Sequence, residues 1–201
     1  MIVIPLVIVL TLFGYYKSKF IRKHNTKLYI ISTILAILSF FFRNKVPFTE
    51  PFTQGYIGLS NLYIVMFIGA LNNKSKLRVK IMGVRREYSI IGFILITPHA
   101  LKYFFKFLNG SIPFEWFGVI PYLIMLPLFI TSFIIIRKKL SHNAWKNIQK
   151  WAYLAYILIF IHLILVAKTP NLFVYIILFT PYLILKLVKE LKLMILTKKR
   201  E

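Results

Sequence analysis

The feature that most constrains this chain is an alternation. Apolar blocks long enough to cross a bilayer are separated by connections that are in turn rich and poor in Lys and Arg. Seven blocks can be marked, at about 2–16, 28–42, 56–71, 88–108, 116–136, 151–167 and 171–188. A spanning helix needs about 20 apolar residues, so the first two blocks are short ones. The connections at 17–27, 72–87 and 137–150 hold five, six and five basic residues, and 186–201 holds six. The intervening ones hold Arg43 and Lys45, then none at 109–115, then Lys168. The positive-inside rule puts the rich set in the cytoplasm. The expected fold is an all-α polytopic membrane bundle of about seven transmembrane helices, or six if one short block does not span. Its N-terminus is expected outside and its C-terminus in the cytoplasm. The first block lacks a basic leader and a small-residue cleavage pattern, so it is expected to be a retained span of a plasma-membrane protein.

Charge and composition exclude several classes. The formal net charge is +22, yet the cations lie between apolar blocks and do not form one surface, which argues against nucleic acid as a partner. There is no Cys, so thiol chemistry, disulfides and iron–sulfur ligation are ruled out. There is no Asp, and the five Glu (50, 87, 115, 190 and 201) lie in connections, at block edges or in the C-terminal segment. An acidic proton relay or a paired-carboxylate hydrolase inside the membrane is therefore not expected. No glycine-rich phosphate loop occurs. Phe48, Phe52, Tyr56 and Trp116 sit where an outer interfacial belt would be, and Pro98, Pro121, Pro127 and Pro181 fall inside blocks.

The four histidines divide into two kinds. His24 ("RKHNTK") and His142 ("LSHNAW") fall in basic connections and read as solvated loop residues. His99 and His162 lie inside apolar blocks, where a polar ionisable side chain usually faces a bundle interior. Each is the twelfth residue of a block expected to run outward, hence roughly 16 Å up from the cytoplasmic end. Two imidazoles at one level suit the axial positions of a haem iron. An interhelical hydrogen bond is the plainer alternative, and a bare metal site would lack the usual four ligands. Lys102 and Lys106 stand three and seven residues after His99, on its helix face and nearer the outer surface. Their roles are snorkelling to the interface or meeting haem propionates.

These residues carry a resemblance. "MGVRREYSIIGFILITPHALKYF" and "RKKLSHNAWKNIQKWAYLAYILIFIHLILVAK" resemble two segments of the ferric-reductase-like transmembrane domain family. The resemblance runs from about Gly55 to Leu185 and is carried by Arg85, Arg86, His99, Trp145 and His162 in their order and spacing. Within that family the chain looks closest to the haem-binding membrane subunits of the periplasmic methionine sulfoxide reductase system. The resemblance implies that His99 and His162 are axial ligands of a b-type haem. It implies electron passage from a membrane quinol, or a flavin such as FMN, to an extracytoplasmic reductase, with methionine sulfoxide reductase the implied partner. A fused cytosolic flavin domain of larger relatives is not expected in 201 residues. Relatives carry another histidine thirteen residues before the one matched by His162; here it is Gln149. One haem is therefore expected, near the outer face, with quinol favoured as donor. The expected organisation is 1–54 as N-terminal spans outside the main resemblance, 55–190 as the haem-binding domain and 191–201 as a basic cytoplasmic tail. The protein would be the electron-transfer subunit of an oxidoreductase system, without a substrate-reducing site of its own. A small transporter, or a scaffold with structural histidines, is the competing class; the prolines inside blocks are what favours a transporter.

Overall fold

Backbone in hydrocarbon has to satisfy its own N–H and C=O groups, and helix does this within one segment. A computed structural model describes residues 2–43, 45–167 and 169–198, and these fold as helices joined by turns. In chain order the helices are α1 (Val3–Lys23), α2 (Asn25–Phe41), α3 (Glu50–Thr53), α4 (Tyr56–Ala70) and α5 (Lys76–Met82). They continue with α6 (Arg85–Leu108), α7 (Trp116–Ile130), α8 (Ile134–Arg137), α9 (His142–Val166) and α10 (Thr169–Lys198). Four are long and apolar enough to cross a membrane: α1, α6, α9 and the stretch Leu172–Lys192 of α10. The helices α2 and α7 are shorter and apolar. Ile8, Val9, Ile34, Phe173, Ile177 and Ile184 point away from the core, as lipid-facing side chains do.

The core is organised around α4, which buries eleven of its fifteen residues. A helix apolar all round belongs in the middle, and α4 is packed by α1, α6 and α10. Gly58 of α4 lies against the backbone of Ile96, and Gly92 of α6 against Asn61 and Leu62. Small residues on both helices let the two backbones approach closely. The pairings 58–96 and 61–92 run in opposite senses, so α4 and α6 are antiparallel. The same test makes α7 and α9 antiparallel, through Gly118–His162 and Gln149–Thr131. Stacking of Phe93 on Tyr122 and Phe129 joins α6 to α7. The C-terminal end of α4 has its free carbonyls taken by cations. Arg78 donates to Ile68, Gly69 and Leu71 at 2.9, 3.0 and 3.2 Å, and Lys189 of α10 donates to Gly69 at 2.8 Å.

Several sequence expectations are corrected. The stretch 17–27 is not a loop: α1 breaks its geometry at Lys17, continues to Lys23, and α2 starts at Asn25. His24 is the junction between them, its ring 4.4 Å from that of Phe20, and His142 is the first residue of α9. The block 116–136 is two helices, α7 and α8, with a turn at 131–133 where Thr131 and Ser132 bond their hydroxyls back to Pro127 and Leu128 at 2.7 Å each. Helix α10 runs unbroken past residue 190. Glu87 does lie at the edge of its block, in the first turn of α6, and is buried there with Arg86 as its partner. Lys168 and residues 199–201 of the basic tail lie outside the described residues.

Candidate functional site

His99 is placed by α6, which Pro98 interrupts without breaking. Proline has no N–H to offer the carbonyl a turn below. One position earlier, Thr97 bonds the Phe93 carbonyl at 2.9 Å and meets the Tyr122 hydroxyl at 3.1 Å, which ties this turn to α7. The His99 ring lies at the N-terminal end of α4, where Nδ1 is 3.3 Å from the Thr53 carbonyl. A carbonyl can only accept, so Nδ1 carries the proton and Nε2 is left with its lone pair. This contact is the plainer hydrogen bond named above as the alternative, and it leaves Nε2 free to act as a ligand.

Gly55 shows why that corner is built as it is. It sits between α3 and α4 at φ +80°, a left-handed conformation that favours glycine. A Cβ there would stand 2.9 Å from Ile96 Cδ1 and 3.1 Å from His99 Cγ. The turn and the imidazole both need a residue without a side chain.

His162 is placed by α9 and faces the start of α7. A Cβ on Gly118 would lie 3.1 Å from His162 Cε1 and 3.4 Å from Nδ1. Its Nδ1 is buried and has no hydrogen-bond partner among the described residues. A buried polar atom left so costs on the order of 1–3 kcal/mol. The two histidines thus sit beside the first turns of α4 and α7. Among the described residues no three of His, Asp and Glu converge as a metal cluster. His99 and His162 are the two residues here that would hold the iron of a haem, a group that asks few ligands of the protein.

The lysines reach the same corner through a residue that sequence reasoning missed. Tyr103 packs its ring 4.8 Å from His99 and lies within 3.3 Å of Gln54 Oε1 through its hydroxyl. The Nζ atoms of Lys102 and Lys106 each stand 5.4 Å from the Tyr103 ring centre. Lys102 is half-buried and Lys106 exposed. Spacing alone could have found Tyr103, four residues after His99 and so on its face. Thr53, Gly55 and Gly118 had no such signal, because they come from other helices or turns.

Residues 54–160, just over half of the chain, match the family described as ferric reductase like transmembrane component. The chain belongs to this family. The match takes in α4 through most of α9 and ends two residues short of His162. The chain is also 27% identical, over 125 residues, to an uncharacterized protein of Treponema pallidum (strain Nichols). That stretch is 57% of this chain and 34% of the relative, so the likeness spans about a third of that protein's length. No solved structure matches. As a ferric reductase-like transmembrane component with several apolar helices, the protein is an integral membrane protein.

Proposed function

We propose that this chain is a b-type haem electron-transfer component of the plasma membrane, in which His99 and His162 would hold the haem iron. The observation that carries the reading is the pair itself: one imidazole oriented by Thr53, the other with a buried unpartnered nitrogen, each against a glycine. When bound, the haem supplies one-electron redox chemistry that no side chain here offers. The protein's own part is to orient and to exclude. Thr53 holds the His99 proton on Nδ1, and Gly55 and Gly118 keep space beside both rings. Lys102 and Lys106, gathered around Tyr103, offer cations to carboxylates near the outer edge.

The distribution of Lys and Arg supports seven crossing segments, an outer N-terminus and a cytoplasmic C-terminus. It supports 55–190 as the haem-binding unit and 1–54 as additional spans. In that orientation the histidines lie towards the outer face. A donor moving within the membrane reaches them more readily than one in the cytosol, so we take a quinol as donor in preference to FMN or a flavoprotein. The acceptor is an extracytoplasmic reductase, with methionine sulfoxide reductase the partner suggested by resemblance. Purified protein loaded with haem should be reduced by a short-chain quinol in stopped-flow absorbance. Reduction by an NADPH-driven flavin reductase, with none by quinol, would reverse the choice of donor.

A further inference from the structure

Three arginines meet at the opposite end of the bundle from the histidines. There α4, α6, α7, α8 and α9 line an open cavity of about 340 Å³, within the range of about 300–1,000 Å³ usual for small-molecule sites. Its inner wall is apolar, with Leu62, Phe93, Met125 and Phe129. Its rim is cationic: Arg85 and Arg86 come from the first turn of α6, and Arg137 from α8. Among the described residues only Arg86 of these has a carboxylate partner, the buried Glu87. Arg137 lies 4.2 Å over the Trp145 ring. Trp145 Nε1, on the same rim, is buried with no acceptor, and an indole N–H can only donate. The helices α6 and α9 both begin here, so their free N–H groups and the positive ends of their dipoles add to the field. Gln149 lines the cavity with its amide turned to Thr131, and no histidine lines it.

Apart from Glu87, already paired, the charged groups of the rim are all cations, while the inner wall is greasy. We propose that this cavity binds an anionic phospholipid, with Arg85, Arg137 and the Trp145 indole on the phosphate and the apolar part over Phe93 and Phe129. Guanidinium forks match phosphate oxygens, and basic pockets between membrane helices on the cytoplasmic side suit anionic headgroups. The apolar wall favours an anionic lipid over a free phosphate. This inference does not rest on the haem reading.

The test is a set of thermal-shift and native mass spectrometry titrations of the full chain in neutral detergent. The probes are dihexanoyl phosphatidylglycerol, dihexanoyl phosphatidylcholine and inorganic phosphate. Phosphatidylglycerol should bind saturably and about tenfold or more tighter than phosphatidylcholine, a difference of about 1.4 kcal/mol or more. That preference should vanish in Arg85→Gln/Arg137→Gln and persist in Arg22→Gln, an exposed basic residue of α1. Trp145→Phe keeps a ring under Arg137 and removes only the N–H; it should weaken binding even if the double variant fails to fold. Saturable binding of inorganic phosphate that competes with the lipid would support the phosphate site and make a soluble phosphate its source. Equal binding of the two lipids, or no binding by any probe, overturns the proposal.

Discussion

Putting alanine at two glycines of α4 should have opposite consequences, and the structure gives the size of each. At Gly58 a new Cβ would stand 2.6 Å from the Ile96 nitrogen and 2.7 Å from its Cα. Ordinary contact begins near 3.4 Å, so α4 and α6 must part by about 0.8 Å (3.4 minus 2.6). The obstacle is backbone, which cannot swing aside as a side chain would. Overpacking of this kind costs about 1–3 kcal/mol, and a backbone clash belongs in the upper half. Alanine regains about 0.5–1 kcal/mol of helix propensity, leaving a net loss of about 1–2.5 kcal/mol. At Gly69 a Cβ meets nothing within 4 Å. Gly69→Ala therefore keeps only the propensity gain, reduced because it is next to the last residue of α4. Unfolding of the purified protein in mixed detergent, followed by circular dichroism, should place Gly58→Ala below the parent and Gly69→Ala level with it or above. If Gly58→Ala matched the parent, or the two variants shifted together, close α4–α6 packing as the basis of the fold would be refuted.

Other expectations follow from single contacts. Gly118→Val would drive a branched side chain into His162, which already lies 3.1 Å from where a Cβ would be; haem titrated into the apo-protein should bind at least about tenfold more weakly, as loss of about 1.4 kcal/mol implies. Gln149→His should leave haem stoichiometry at one per chain in a pyridine haemochrome assay, because the cavity around it holds no opposing imidazole. Arg86→Ala strands the buried Glu87 carboxylate. Breaking a buried pair costs roughly 3–5 kcal/mol, and since a third of the Arg86 side chain is exposed the loss should fall at or below the lower end; the same unfolding assay reads it.

Much of this was legible in the sequence because membrane folding is set by local rules. Apolar length and the Lys and Arg spacing marked the helices, and two histidines at equal depth marked the candidate site. What stayed hidden depends on partners from elsewhere in the chain. Nothing local says that Gly58 meets Ile96, that Gly118 faces His162 or that the Thr53 carbonyl orients His99. Basic residues at 17–27 suggested a loop, yet long cationic side chains tolerate a helix running on into the interface, and α1 does so. The turn at 131–133 divides an apolar block in two, a break that hydropathy does not register. Glu87 read as an edge residue; its burial there depends on Arg86 and on packing of the first turn of α6.

The most direct test of the account is the absorption spectrum of the purified chain from haem-replete cells, alongside His99→Ala and His162→Ala. The account predicts the Soret and α bands of a low-spin b-type haem in the parent, and their loss in each variant while circular dichroism stays helical. A colourless parent protein, or bands that persist unchanged without either histidine, would contradict it.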